Sequence, residues 1–469
     1  MTADAPTSAD PPPPPLPVPR RRRRWSPGLR GLMILVLLAG GGIGWESDRV
    51  ARLRRAVATL ERPVIVTMAD LGPFGSLVVR PSGTPRRAVD VTVADRLDGV
   101  GWLKGPMARR AVGWCERAVG PDHFRRVTGL KFDRRPTAAD WDAIAALGTV
   151  ERLDFMLLGV TDDDLARLGK CSSLRDLDLS CTPITDKALA AVGRLPALRS
   201  LAINQTYTTV DGPAALAGAH GLEELTLHDD LDADAALVHL AGLRNLRSLV
   251  AGRISDRGLA ALRGNARLAR LSFQAWNLTD AGWADLTGFA GLEELRIEPG
   301  SSNFARVFFG RAEPGRPLAL SAGAAGSLAR LVALRKLKWR DLGDATWLRA
   351  LRPLARLRDL DIAGAWVDDD ALAAVGDLAR LDHLAVRGDR FTDAGLAPLG
   401  RLANLEGLRI NSPAVTDAGL AHLAGLARLR SLTLDASVGP AAVAALRARL
   451  PGLATVRNRR NHRSPPPGP

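Results

Sequence analysis

Three groups of residues in this sequence have the types and spacing to do chemistry. The acidic runs Asp162 to Asp164, Asp229 to Asp234 and Asp368 to Asp370 cluster carboxylate oxygens of the kind calcium takes. Most of them stand where a helix starts, so capping and solvation account for them, with ion binding as the alternative. The segment KLKWR places Lys336, Lys338 and Arg340 at alternate positions, which puts two of the six lysines and one arginine on one face. Seven histidines, at 123, 220, 228, 239, 383, 422 and 462, are scattered without ligand spacing, and no G-x-S-x-G, P-loop or C-x-x-C occurs. Hydrolysis, phosphoryl transfer and redox chemistry therefore have no anchor. No cofactor is implied, and the expected protein is not an enzyme.

The elements that must position these residues are read from a period. Stepping 24 residues at a time from Leu174 reaches Leu198, Leu222 and Leu246, a step of 22 reaches Leu268, and 24 more reach Leu292. After an interval of 42 the mark returns at Leu334, Leu357, Leu381, Leu405, Leu429 and Leu453. A repeat of this length means a solenoid. The mark reads L-x-x-L-x-L, and alternation puts Leu177 and Leu179 on the inner face of a short strand, with Asp176, Asp178 and Ser180 on the other. A helix start follows at Ile184-Thr185-Asp186 and recurs at Val160-Thr161-Asp162, Ile254-Ser255-Asp256, Leu278-Thr279-Asp280, Phe391-Thr392-Asp393 and Val415-Thr416-Asp417. Leu189 and Val192 then give that helix an apolar face that one unit cannot bury alone.

From Cys171-x-x-Leu174-x-x-Leu177-x-Leu179-x-Cys181 and the I-T-D phrase, the sequence resembles the leucine-rich repeats of the cysteine-containing subtype, over roughly residues 126–456. The second cysteine stands one place early, with Thr182 where the family places it. The resemblance implies an α/β leucine-rich repeat solenoid, a horseshoe of about fourteen units. Eukaryotic members of this subtype are substrate receptors of F-box ubiquitin ligases, but no F-box-like helical segment precedes the repeats. The layout also resembles leucine-rich proteins of planctomycete bacteria.

Five segments are expected. Residues 1–30 form a Pro/Arg-rich disordered arm and 31–45 a transmembrane helix; residues 46–125 hold a juxtamembrane helix, a small β-rich spacer and an N-terminal cap. Residues 126–456 are the solenoid, and 457–469 a disordered basic tail. The span GLMILVLLAGGGIGW lies between Trp25 and Trp45. It reads as an uncleaved anchor, with a cleaved signal or a surface or buried helix as alternatives. Six arginines precede it, so the positive-inside bias puts the N-terminus in the cytoplasm and the repeats outside, at the cell membrane. Val50, Leu53, Val57 and Leu60 continue as a heptad stripe, read as a packed helix rather than a dimer seam; oligomeric state is left open. Three apolar runs, VIVTM, SLVVR and VDVTV, make up the spacer, and Trp102 to Val119 is expected to cap the first repeat. The 42-residue interval is read as two shorter units, with Leu318-x-Leu320 as an extra strand and Phe304 and Phe308 in the core; a loop carrying Phe304, Phe308 and Phe309 is the alternative.

The formal charge of +14 invites nucleic acid, yet the array 126–456 carries only +1 of it, and the rest lies in the flanking segments. Nucleic acid is therefore an unlikely partner. Cys115, Cys171 and Cys181 make no disulfide framework, and Cys171 and Cys181 are expected as small buried thiols.

What remains is the strand face, where equivalent positions of adjacent units stack about 4.8 Å apart. Asp359 and Asp361 should stand beside Lys336 and Lys338 and consume part of their charge. Asp154 and Asp178 should be like-charged neighbours, which calls for a basic group or cation unless the face is simply solvated. With Arg296, Arg340, Arg387 and Arg409, these are the candidate partner-binding residues. The expected function is a non-enzymatic scaffold or receptor-like ectodomain binding a protein through its concave face. An F-box-like substrate receptor and peptide or glycan binding at the cell envelope are the alternatives.

Overall fold

In a computed structural model of the chain, the described residues are 55, 63–64, 86–87, 89–95, 125–228, 232–298, 321–340 and 346–458. The span 31–45, the heptad stripe, the proposed cap 102–119, the three phenylalanines of the long interval and residues 459–469 of the expected tail lie outside them, whereas Arg457 and Asn458, expected in that tail, belong to the last strand of the sheet. Among the described residues no helix is long and apolar enough to cross a membrane.

Each L-x-L step forms a strand, and the strands stack in chain order. A 15-stranded sheet results, from Val89–Asp95 at one edge to Thr455–Asn458 at the other. Val89–Asp95 is antiparallel to Arg125–Phe132, and every later neighbour is parallel. VDVTV is thus the first strand of the solenoid sheet rather than part of a separate spacer. The register is the one the period implies: Leu153 faces Leu177, Leu177 faces Leu201, and Leu384 faces Leu408. All twelve marked leucines are buried, most completely. Fully burying each such side chain stabilises the array by about 1.5–3 kcal/mol. Successive units are also joined at the strand entry, where Arg175 and Asp176 N–H groups both donate to the Glu151 carbonyl at 2.7 and 2.9 Å.

The T-D phrases start helices as expected. At five of the six the Thr or Ser hydroxyl accepts from the N–H two residues on, as at Thr185 and Thr392, both at 3.3 Å, while the Thr161 hydroxyl instead donates to Asp164 Oδ2 at 3.1 Å. The aspartate has a second duty that the sequence did not announce. Asp369 reaches into the next unit, where its carboxylate accepts from the Thr392 N–H at 2.7 Å and the Thr392 hydroxyl at 2.9 Å. Asp162 holds Thr185 in this way, Asp186 holds Thr209, Asp256 holds Thr279 and Asp393 holds Thr416. These five aspartates are thereby spent on binding unit to unit, while Asp232 and Asp368 cap their own helices.

The seam across the long interval differs from the expectation. Glu294–Glu298 pairs directly with Lys336–Arg340, so no strand at Leu318-x-Leu320 intervenes between them. The core behind this seam is filled by tryptophans. Trp283 stacks on Trp339 with centroids 5.6 Å apart, Trp339 meets Trp347 at 4.4 Å, and Trp347 meets Trp366 at 5.8 Å. Large rings thus fill the volume at the array's main irregularity.

The cysteine expectation holds only for Cys171. Cys171 is buried, and burial pushes its thiol pKa up, whereas Cys181 is only half-buried and occupies a left-handed turn with φ 58°. Leu157 and Gln205, 24 residues to either side, take the same turn with φ 66° and 55°. The buried polar group is Thr182, whose hydroxyl donates to the Leu179 carbonyl at 2.6 Å, and Thr206 repeats this one unit later toward Ile203 at 2.9 Å. A buried hydroxyl must find such a partner, and the carbonyl three residues back supplies it.

Candidate functional site

The site is the sheet face turned away from the helices. Strands repeat about every 4.8 Å while packed helices need about 8–10 Å, so the stack bends with this face inside. Side chains between the leucines form columns along it. One column runs Lys131, Asp154, Asp178, Ala202, Thr226, Val250, Ser272, Arg296, Lys338, Asp361, Ala385, Arg409 and Thr433.

At its start the structure supplies the basic group that two adjacent aspartates require. Lys131, one unit earlier, is bonded to Asp154. That hydrogen bond is the main reason its ammonium is held above its ordinary pKa; partial burial opposes it, and the charges of Asp154, Asp178 and Asp133 add. Asp154 Oδ1 also accepts from the Met156 N–H at 3.0 Å, and Asp178 Oδ1 from the Ser180 N–H at 2.9 Å. Beside them, the Asp176 carboxyl is pushed up chiefly by burial, with Glu224 and Glu151 adding and Arg152 and Arg175 opposing. This end of the wall is acidic.

The far end is basic, and its pairing differs from the lateral scheme. Lys336 does stand beside Asp359, and Lys338 beside Asp361. Asp361, however, is engaged by Arg340 at 3.5 Å, and Glu298 holds both Arg296, with 2.6 Å from Nε, and Arg340 at 4.0 Å. Arg340 reaches diagonally across the strands because its guanidinium is long and forked. Among the described residues no carboxylate is paired with Lys336, Lys338, Arg387 or Arg409, and Lys336, Arg387 and Arg409 are exposed. Arg296 and Arg340 are therefore internal braces, while Lys336, Lys338, Arg387 and Arg409 have no carboxylate partner among the described residues. The eight candidate residues do share one face, but as an acidic end and a basic end rather than one patch.

Between the ends lies a neutral stretch that sequence reading passed over. Ser248, Val250, Ala251 and Ser272 line a concavity of about 310 Å3 together with Arg270, Glu294, Arg296 and Glu298, two basic and two acidic side chains. The strand Ser248–Ile254 carries an extra residue here, with Ala251 and Gly252 opposite Phe273. At the strand exits, Trp276 is 41% exposed and Tyr207, the chain's single tyrosine, 55%. The Arg253 guanidinium sits 5.0 Å from the centroid of the Trp276 ring. Their signal in the sequence was weak: both aromatics fall just past the L-x-L step, where the period assigns no role. Among the described residues no group of three His, Cys, Asp or Glu is placed to hold a metal ion.

Neither a protein-family model nor a curated protein matches the chain. Among solved structures it is similar to an internalin from Listeria monocytogenes, at 20% identity over 65% of this chain and 86% of that one, with a TM-score of 0.44. It is also similar to the structure titled PEPR1-AtPEP1, at 15% identity over 71% of this chain, with a TM-score of 0.37; the match spans 45% of that chain. The in-register leucines and the parallel sheet decide the architecture by themselves. The fold is a leucine-rich repeat solenoid. Such a solenoid offers an extended, solvent-facing wall whose side chains vary while the core stays fixed.

Proposed function

We propose that the chain is a non-enzymatic protein-binding scaffold whose partner docks on the inner wall of the solenoid. The observation that carries this reading is the state of the charges. Along the strand entries arginine and carboxylate neutralise each other, as in Arg199 with Glu223, Arg335 with Glu293 at 3.9 Å and Arg358 with Asp382 at 3.6 Å. On the wall, no carboxylate among the described residues is paired with Lys338, Arg387 or Arg409, and several strands toward the N-terminus the same sheet carries a concavity wide enough for a side chain, with Tyr207 and Trp276 exposed at strand exits. Tyrosine, tryptophan and arginine are the types that most often carry binding energy at protein interfaces.

The test is site-directed photo-crosslinking in native membranes, with the probe at Ser272 on the wall or at Asp163 on the helix side. The reading expects adducts from the wall position alone. Adducts from Asp163 with none from Ser272 would move the site to the other face.

The same reading holds the solenoid at the cell membrane through residues 31–45, with the repeats outside the cytoplasm; support for this comes from the sequence of that stretch and the arginines before it. A phosphatase fused to the C-terminus should be active if the repeats are outside, and inactive if they are cytoplasmic.

A further inference from the structure

The wall's chemistry is ordered along its length, and that order describes a ligand. The concavity is lined by the small side chains of Ser248, Val250 and Ser272, with the oppositely charged Arg270, Glu294, Arg296 and Glu298 also on its lining, and Trp276 stands exposed past the strand that carries Ser272. Moving toward the C-terminus, the column from Ser272 passes Arg296, Lys338, Asp361 and Ala385 before reaching Arg409. Arg296 is braced by Glu298 and Asp361 by Arg340, so among the described residues the first basic side chain without a carboxylate partner is Lys338 and the next are Arg387 and Arg409. Lys336 is set aside, because Glu294 and Asp359 flank it in register.

We infer that the wall binds an extended acidic polypeptide segment, with one apolar side chain seated over Ser272 and carboxylates meeting Lys338 and the Arg387–Arg409 pair. This rests on the protein-binding reading above and narrows it. The spacing follows from strand geometry. Ser272 and Lys338 are two strand steps apart and Ser272 and Arg409 five, which at about 4.8 Å per step is about 10 Å and about 24 Å. An extended peptide crossing the strands advances about 3.3 Å per residue. The acidic positions therefore fall about three and about seven residues to one side of the apolar anchor. A basic segment running the same way would meet like charges at both places, which is unfavourable.

The probes are fluorescein-labelled twelve-residue peptides built on Gly and Ser. Each carries one Leu and two Glu at the third and seventh positions beyond it, in either chain direction, or the same residues at scrambled spacing, or Lys in place of Glu. Anisotropy with the full-length protein in detergent should show one of the spaced acidic peptides binding at least tenfold tighter than the scrambled and Lys versions, and weakening as salt rises. Lys338→Glu with Arg409→Glu should cut that affinity at least tenfold, and Ser272→Trp should block the anchor. Both variants must keep the parent's circular dichroism, and both residues 338 and 409 project from the wall rather than the core. Equal binding of Glu and Lys peptides, or affinity unchanged in the double variant, overturns the inference. If Ser272 still crosslinks a native partner under either of those outcomes, the protein-binding reading stands and only the acidic ligand is lost.

Discussion

Replacing Gly395 by alanine should destabilise the protein, against the usual direction for a helix. Gly395 lies in the helix Asp393–Leu399, where glycine to alanine ordinarily gains about 1 kcal/mol. Here a Cβ would stand 2.3 Å from Asp369 Oδ1 and 3.1 Å from Leu372 Cδ1 of the preceding unit. Leu372 can rotate, but Asp369 is short and tied by two hydrogen bonds to Thr392. Making room turns the carboxylate off at least one of them, and a hydrogen bond to a charged group contributes about 1.5–3 kcal/mol. The net expectation is a loss of about 0.5–2 kcal/mol. In Asp369→Ala the obstruction is gone, so adding Gly395→Ala should then stabilise, with a coupling of about 1.5–3 kcal/mol between the two sites. Gly326, also helical but with nothing within 4 Å of its would-be Cβ, is the internal control and should gain about 1 kcal/mol as alanine. Urea unfolding of the four variants, compared by midpoint and slope, reads these differences. If Gly395→Ala proves as stabilising as Gly326→Ala, the carboxylate is not pinned and the unit-to-unit role of the aspartates is wrong.

Two further predictions concern the same array. Arg134 and Asp140 form a buried bidentate pair at 2.6 and 3.1 Å, within the Thr137 capping box. Burial alone would raise the Asp140 carboxyl, but the bonds from Arg134 and Thr137 outweigh it and hold its pKa below the ordinary value. Its contribution is therefore present above the unfolded pKa of about 3.9 and lost as pH falls through the depressed folded value. Asp140→Ala should lose about 3–5 kcal/mol at pH 7 by leaving Arg134 buried and unpaired, and the gap to the parent should narrow below about pH 4. A gap that is the same at pH 3 and pH 7 contradicts this. Trp339→Ala, at the centre of the tryptophan stack, should lose about 3–5 kcal/mol. Because each unit contacts mainly its neighbours, the loss should uncouple the two halves, and calorimetry should show two transitions where the parent shows one; a single transition in the variant would mean that the seam does not limit cooperativity.

The period of the leucines determined a great deal without any structure: the parallel register, the buried marks and the helix starts after Thr or Ser. The reason is that in a solenoid the neighbours in space are the neighbours one period away, so a one-dimensional pattern contains the contacts. The tertiary structure decided everything that depends on reach across that lattice. It showed Asp369 crossing to Thr392, with Gly395 leaving space for it, and Lys131 answering Asp154 from one unit back. It joined Glu294–Glu298 to Lys336–Arg340 directly, across a core where four tryptophans meet ring to ring. It also gave Asp361 to Arg340 rather than to the lysine beside it, leaving Lys338 without a carboxylate partner among the described residues. Alternation along a strand fixes the face on which a side chain lies; which partner a long, flexible side chain takes is set by diagonal distances that only the folded sheet contains.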